Sequence, residues 1–154
     1  MITQNPWQSY RKVATQTASP GHLVLMMYEG AISFLERSLI GFSHQDPLTF
    51  NQTINNNILR AQAIIRELNV RLDMEKGGEV STNLRALYDY YFIRLNEANR
   101  LKRREPIDEV LKLVRILRDG WAEMLQRGVD NPPENVPAPR RPSFLDRGGN
   151  AALN

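Results

Sequence analysis

The sequence predicts an all-α protein, an antiparallel up-down four-helix bundle with an additional polar segment at each end. Helix-breaking residues divide the chain into four segments of helical length, covering about residues 20–41, 47–75, 79–103 and 106–127. Apolar residues recur within these segments at spacings of three and four, and no alternating strand pattern of useful length appears. Because the connections between the segments are short, we expect neighbouring helices to be antiparallel.

Proline and glycine mark the helix boundaries. Three segments begin where a capping or acidic residue precedes a proline, which is favoured at the first helical position. These starts are Ser19-Pro20, Asp46-Pro47 and Glu105-Pro106. Glycine commonly ends a helix, and glycines lie near the expected helix ends. They are Gly41, Gly77-Gly78 and Gly128.

Each of the last three segments carries a continuous apolar stripe. The stripe of the second helix comprises Ile54, Ile58, Ala61, Ile65, Leu68 and Leu72. That of the third helix comprises Leu84, Tyr88, Tyr91, Leu95 and Ala98. That of the fourth helix comprises Ile107, Val110, Val114, Leu117, Trp121 and Met124. Stripes of this kind pack helices against one another at shallow angles, so we expect these residues to form the core.

Length and composition limit the class of protein. The 154 residues fit one domain with a core of its own. The chain has no cysteine, which excludes disulfides and thiolate metal sites. Its longest apolar run, Leu23 to Tyr28, is far shorter than the roughly 20 residues of a membrane span, and its first residues lack the apolar stretch of a secretory signal. We therefore expect a soluble, cytosolic protein without stable membrane insertion.

The two ends of the sequence differ from its middle. Residues 1–18 are polar apart from Trp7, Tyr10 and Val13, whose spacing of three would place them on one face of a helical turn. Residues 129–154 are rich in proline and contain too few apolar residues to offset the entropy lost on ordering. We expect a flexible N-terminal arm at 1–18, a four-helix bundle domain at 19–128 and a disordered tail at 129–154.

The sequence contains no recognisable catalytic or metal-binding constellation. Di-metal bundles need Glu-x-x-His pairs, but Ser19 and Gly41 stand three residues before the two histidines, His22 and His44. A histidine phosphotransfer site needs a cation and a small residue beside the histidine, and the helix of His22 offers neither. Gly77-Gly78 lacks the surrounding pattern of a phosphate loop. We expect a protein that is not an enzyme, with no catalytic residue, cofactor or metal.

Some apolar residues are left over once the core stripes are assigned. They follow helical spacing on the faces nearly opposite the core. They are Leu59, Ala63 and Val70 on the second helix and Ala86, Tyr90 and Ile93 on the third. Exposed apolar stripes flanked by polar residues are typical of grooves that bind an amphipathic helix of a partner. The alternatives are that a homodimer or the chain's own N-terminal arm covers these stripes.

A basic cluster supports an alternative function, a regulatory helical bundle that binds nucleic acid. The cluster comprises Arg94, Arg100, Lys102, Arg103 and Arg104, with only Glu97 among them. No nucleic-acid-binding motif accompanies this charge, and cations are also favoured at the end of a helix. The sequence therefore favours a solvated helix end, with no nucleic-acid partner.

Three stretches of the sequence, taken in order, carry a resemblance to a known family. The first is YRKVATQTASPGHLVLMMYEGAI, with a tyrosine, an Ala-Ser-Pro turn and an apolar opening of the first helix. The second is AQAIIRELNVRLDMEKGGEVSTNLRALYDYYFIRLNEAN, and the third is EVLKLVRILRDGWAEML, a closing helix with a tryptophan. The ordered set resembles the flagellin-specific export chaperone family FliS. Met27 stands where leucine is usual, and the proline-rich tail is not part of the family pattern.

The resemblance implies a function. Members of the family bind the disordered C-terminal segment of flagellin, which forms part of the helical core of the assembled filament. Covering this segment in the cytosol prevents premature polymerisation, and the complex is delivered to a component of the flagellar type III export gate. In such proteins the N-terminal arm, here with Tyr10, is thought to lie over the groove and move aside, or it contacts the export gate. Homodimerisation of the free protein stays an alternative.

Overall fold

The computed structural model describes residue 8 and residues 19–128, and the latter fold into four helices. They are α1 (Pro20–Gly41), α2 (Pro47–Val70), α3 (Gly78–Leu101) and α4 (Glu105–Gln126). Residues 19–128 contain no strand, and the predicted all-α fold class is confirmed. The flexible arm and the disordered tail, expected at 1–18 and 129–154, fall outside the described residues except for Gln8.

Capping side chains fix the first two helix starts, where the sequence predicts them. At the start of α1, the Ser19 hydroxyl oxygen accepts a hydrogen bond from the His22 backbone N–H at 3.2 Å. At the start of α2, the Asp46 carboxylate accepts hydrogen bonds from the backbone N–H and the hydroxyl of Thr49, at 2.9 and 2.8 Å. These bonds hold the pKa of Asp46 below its usual value. Such caps satisfy backbone donors that a helix start otherwise leaves unpaired.

The second helix ends earlier than the glycine pair at 77 and 78 predicts, at Val70 rather than near residue 75. Asp73 explains this difference. Its carboxylate accepts hydrogen bonds from the backbone N–H groups of Glu75 and Lys76, at 3.1 and 2.9 Å. A short side chain that binds nearby backbone groups competes with the helical hydrogen bonds. The chain therefore leaves the helix and forms a turn before α3.

A left-handed residue ends the third helix and turns the chain towards α4. Lys102 has a backbone φ of 49°, a conformation that costs most L-residues roughly 1–2 kcal/mol. The backbone N–H of Arg103 donates to the carbonyl oxygen of Ala98 at 3.1 Å, which closes the end of α3. Glycine is the usual residue at this place in a helix end. Position 102 is a lysine, so no glycine marks the end of α3 in the sequence. This explains why the helix ends at Leu101, slightly before the predicted end near residue 103.

Each helix packs against two others, and the bundle is closed. Helix α1 lies against α2 and α4, and α3 lies against the same two helices. No Cα atom of α1 approaches one of α3 within 8 Å, and the same holds for α2 and α4. The helices therefore stand at the corners of a square, with sequence neighbours side by side. This arrangement agrees with the predicted up-down bundle.

The predicted stripes form the core. All of the stripe residues of α3 and α4 are buried, and so are those of α2 except Leu72, which is half-buried beyond the end of the helix. The first helix contributes Leu23, Met27, Tyr28, Ala31, Ile32, Phe34 and Leu35. Only four polar side chains within residues 19–128 are buried, namely Ser38, Asn57, Gln62 and Ser81. The core is therefore almost entirely apolar.

Helix α2 lies close against α1 at Gly41. A Cβ atom at this position would lie 2.8 Å from Cγ1 of Ile54 and 3.1 Å from its backbone nitrogen. There is thus no room for a side chain, and glycine is needed here because of packing rather than backbone conformation. The rings of Phe42 and Phe50 meet edge to face across the same connection, with centroids 5.6 Å apart.

Aromatic side chains from three helices meet inside the bundle. The hydroxyl groups of Tyr28 on α1 and Tyr88 on α3 share a hydrogen bond of 2.5 Å. The ring of Tyr28 also meets that of Trp121 on α4, whose indole N–H donates to the carbonyl oxygen of Gly21 at 2.8 Å. Burial raises the pKa of Tyr28 to about 12 and that of Tyr88 well above its usual value. Both hydroxyls therefore stay neutral.

Candidate binding surface on helices α2 and α3

Five of the six side chains predicted to form a partner groove lie on the exterior of α2 and α3. On α2, Leu59 is 51% and Val70 76% exposed, and Ala63 is also exposed. On α3, Ile93 is 64% exposed and Ala86 is exposed. These five residues face away from the core, as the spacing of the second apolar stripes predicts. We call them the outer strip.

Hydrogen bonds between α2 and α3 set the register of the two halves of the outer strip. The Asn99 side chain on α3 donates to the Asn55 side-chain oxygen at 2.9 Å near one end of the pair. Near the other end, the Asn69 amide donates to the Asp89 carboxylate at 3.0 Å. This antiparallel register sets Ala63 level with Ile93, and Val70 level with Ala86. The two halves therefore run side by side.

The seam between the two halves of the outer strip is polar. The amide of Gln62, which is only 4% exposed, donates to the backbone carbonyl oxygen of Phe92 at 3.1 Å and to the side-chain oxygen of Asn96 at 2.7 Å. The guanidinium of Arg66 lies over the ring of Phe92, 5.1 Å from its centroid. The strip therefore has apolar ridges on both sides of a hydrogen-bonded floor.

Sequence reasoning missed the residues of this floor. A signal for them exists, because Asn55, Gln62 and Asn69 are amides spaced by seven residues. In two packed helices a spacing of seven returns to the same interface. The three amides thus mark the side of α2 that meets α3, and they indicate an interface held by hydrogen bonds.

Tyr90, the sixth predicted residue, is oriented towards α4. Its hydroxyl donates to the carboxylate of Glu109 at 2.7 Å, and its side chain is half-buried. Arg94 donates to the other oxygen of Glu109 at 2.6 Å and to Glu97 at 2.8 Å. Partial burial and the bond to Glu109 raise the pKa of Tyr90, and the same carboxylate raises that of Arg94. The structure thus places Tyr90 in the α3–α4 seam, apart from the outer strip.

The basic cluster has more acidic partners than the sequence suggests. Besides Glu97, three carboxylates of α4 approach its guanidinium groups. Glu109 contacts Arg94 at 2.6 Å, Glu105 contacts Arg103 at 3.1 Å and Asp108 contacts Arg104 at 3.5 Å. The cluster as counted in the sequence covers residues 94–104 and so includes only Glu97, but the short turn into α4 brings the acidic first residues of that helix back to the end of α3. This neutralisation weakens the case for nucleic-acid binding.

The described part of the chain shows no group of three or more histidine, aspartate or glutamate residues that could hold a metal ion. Within residues 19–128, none of the helices is long and apolar enough to cross a membrane. The Nδ1 atom of His22 lies 2.8 Å from the hydroxyl oxygen of Ser19 at the start of α1. The arm residues Trp7, Tyr10 and Val13 lie outside the described residues.

Comparison with known proteins places this chain in a family. The family model described as flagellar protein FliS matches residues 3–128. The chain is 34% identical over 126 residues to the flagellar secretion chaperone FliS of Bacillus subtilis (strain 168), covering 82% of this chain and 90% of that protein.

Two enterobacterial relatives agree with this match. The flagellar secretion chaperone FliS of Salmonella typhimurium is 33% identical over 128 residues, or 80% of this chain and 93% of that protein. The FliS of Escherichia coli (strain K12) is 32% identical over 123 residues, or 77% and 88% of the two chains. The helical bundle described above therefore belongs to the FliS family of flagellar secretion chaperones.

Proposed function

We propose that this protein is a cytosolic export chaperone that binds the disordered C-terminal segment of flagellin. Binding would prevent premature polymerisation and present the client to a component of the flagellar type III export apparatus. The outer strip on α2 and α3 is the observation that carries this proposal. The strip exposes apolar side chains. The chain that carries it belongs to a family of flagellar secretion chaperones.

The dimensions of the outer strip suit a helical client. From Leu59 to Val70 the strip extends roughly 16 Å along α2, at 1.5 Å per residue, which matches about three turns of a bound helix. Ala63 and Ala86 are small, so a client backbone could approach closely between the larger Leu59, Val70 and Ile93. An amphipathic helix would bury its apolar face on these side chains and keep its polar face in water.

The energetics of such a complex fit a client that is later released. A disordered segment gives up roughly 2–5 kcal/mol of the gross interaction energy when it orders on binding. Burial of the outer strip offsets this loss, with about 25 cal/mol for each Å² of apolar surface removed from water. We expect a moderate affinity, which would permit the transfer of the client at the export gate.

A charge placed on the outer strip should weaken client binding without unfolding the bundle. We expect Ile93→Asp to reduce affinity for a peptide of the flagellin C-terminal segment by about tenfold or more, equivalent to about 1.4 kcal/mol. Because Ile93 is 64% exposed, the melting temperature should change little. Isothermal titration calorimetry measures the affinity, and the heat-capacity change on binding should be negative.

Ile40→Asp is the matched control for this substitution. Ile40 is 58% exposed but lies at the end of α1, away from the outer strip. Its replacement should leave affinity unchanged. Equal losses in the two variants, or no binding by the unaltered protein at micromolar concentrations, would count against the proposal. Weak dependence of binding on salt would also separate this complex from nucleic-acid binding, whose affinity falls steeply as salt rises.

We also propose that the N-terminal arm is a removable lid on the outer strip. The motivation is the spacing of Trp7, Tyr10 and Val13 in an otherwise polar segment. Deleting residues 2–14 should expose the strip, so the free protein should self-associate more in analytical ultracentrifugation. Affinity for the flagellin peptide should hold or rise, because no lid has to be displaced. If neither property changes, Tyr10 serves another purpose, such as contact with the export gate.

A further inference from the structure

The connection between α2 and α3 is acidic, although the whole chain is basic. Residues 67–79 contain four carboxylates and two cations. They are Glu67, Asp73, Glu75 and Glu79 against Arg71 and Lys76. This segment thus has a net charge of −2, whereas the complete chain has a net charge of +3.

Two apolar side chains are exposed among these carboxylates. Val70 is 76% and Met74 37% exposed. Asp73 and Glu75 flank Met74 in the chain, and both are exposed. We call these four residues the acidic end patch. A patch of this composition fits a ligand that combines apolar side chains with positive charge.

The segment 129–154 starts at the same end of the bundle. Helix α4 runs antiparallel to α3, so its last residue, Gln126, lies at the end where α3 begins at Gly78. The family match stops at residue 128, so the segment is an addition to the family bundle. Its sequence RRPSFLDR, residues 140–147, joins two apolar residues to three arginines and one aspartate. Its local charge of +2 is complementary to that of the α2–α3 connection.

We propose that residues 140–147 dock on the acidic end patch of the same chain, with Phe144 and Leu145 against Val70 and Met74. The guanidinium groups of Arg140 and Arg141 then face the carboxylates of Asp73 and Glu75. The interaction is a weak intramolecular contact of the free chaperone, and it shares only Val70 with the outer strip.

The length of the connecting chain permits this contact. Residues 129–143 span roughly 20 Å as a flexible chain and up to about 45 Å as an extended polyproline helix. Neighbouring helices pack 8–10 Å apart, so the α2–α3 connection lies within roughly 20 Å of the end of α4. The opposite end of the bundle is about 33 Å away along a helix of 22 residues. Near that end, residues 94–109 contain five cations and four carboxylates, so they have no excess negative charge to attract Arg140 and Arg141.

A second copy of the protein is the competing occupant of the acidic end patch. The opposite end of another bundle exposes Ile40, Leu48 and Leu101, and the arginines that follow α3 lie at the same end, so it also offers apolar and cationic side chains. Tethering favours the protein's own segment, because a short linker gives an effective concentration of the order of millimolar. At micromolar protein concentrations the intramolecular contact should therefore prevail.

Paramagnetic relaxation in the full chain tests the proposal, because the absence of cysteine allows a single labelling site. A nitroxide on Lys76→Cys lies beside the patch, and one on Gln45→Cys lies at the opposite end. The label at 76 should remove most of the amide signal intensity of Phe144 and Leu145, and the label at 45 should remove little. In the variant Arg140→Glu/Arg141→Glu, the difference in signal loss between the labels at 76 and 45 should disappear. In the variant Phe144→Ala, the label at 76 should no longer reduce the amide signal of Leu145. In the control Leu153→Ala, it should still reduce that signal.

Three outcomes would overturn the proposal. Equal signal loss from both labels would show that the segment samples the whole surface, and no loss from either would show that it stays away from the bundle. Signal loss in a mixture of isotope-labelled chains and separate spin-labelled chains would assign the patch to a second copy. None of these outcomes depends on flagellin, so failure here leaves the proposed chaperone function untouched, and failure of client binding leaves this contact untouched.

Discussion

Replacing Trp121 with alanine is expected to lower the free energy of unfolding by about 3–5 kcal/mol, the range for deleting a large buried aromatic side chain. Trp121 is only 7% exposed. Its ring meets Tyr28 edge to face with centroids 6.2 Å apart, and its indole N–H donates to the Gly21 carbonyl oxygen at 2.8 Å. The substitution thus leaves a cavity and removes a hydrogen bond between α1 and α4. Urea unfolding followed by circular dichroism measures the effect.

Trp121→Phe is the control that separates the two contributions. Phenylalanine keeps an aromatic ring against Tyr28 but cannot donate a hydrogen bond to Gly21. Its cost should therefore be smaller, with about 1 kcal/mol from the lost hydrogen bond and the remainder from lost volume. If Trp121→Ala unfolded at the same urea concentration as the unaltered protein, this result would contradict the described packing of Trp121 on α4 against the start of α1.

The buried tyrosines should respond to loss of a hydroxyl with opposite signs. Tyr28→Phe removes the partner of the Tyr88 hydroxyl, so it should destabilise the bundle by about 1–3 kcal/mol, the penalty for an unpaired buried polar group. The hydroxyl of Tyr91 is buried and has no hydrogen-bond partner in the described structure. Tyr91→Phe removes that unpaired group and should stabilise the bundle by about 1 kcal/mol. Denaturant midpoints of the two variants measure the contrast.

The double variant Tyr28→Phe/Tyr88→Phe is the control for the first effect. It removes both partners of the hydrogen bond together, so its cost should be less than that of Tyr28→Phe alone plus Tyr88→Phe alone. Destabilisation by Tyr91→Phe would contradict the assignment, because it would mean that the Tyr91 hydroxyl finds a partner in solution. The ring of Tyr91 stays in place in that variant, so packing is unchanged.

Local sequence signals predicted the helices well where a side chain acts on its own helix. Ser19 and Asp46 begin α1 and α2 as expected, because their capping groups bind N–H donors three residues ahead. The end of α2 lies earlier than predicted, because no glycine or proline marks it before Gly77 and because Leu72 continues the apolar stripe. An apolar stripe indicates which residues are buried, and it does not indicate where the helix ends. Leu72 is half-buried although it lies in the turn after the helix.

The candidate site was only partly predictable. Periodicity separates the core face from the outer face, so the exposure of Leu59, Val70 and Ile93 follows from spacing alone. The same spacing placed Tyr90 with Ile93, but a long side chain at the border of a face turns towards the nearest hydrogen-bond acceptor. That acceptor is Glu109, which is 19 residues away in the chain. No signal within α3 identifies it.

The sequence by itself determined that this protein is a bundle of four helices and which stripe of each of the last three helices is buried. Both properties depend on residues three and four apart, which share a face of any helix. Tertiary structure alone decided the register of Ala63 against Ile93, the pairing of Tyr28 with Tyr88 and the neutralisation of Arg94 by α4. Such pairs join separate helices, and their partners depend on the order and rotation of the helices in the bundle. Periodicity within one helix carries no information about the rotation of the next.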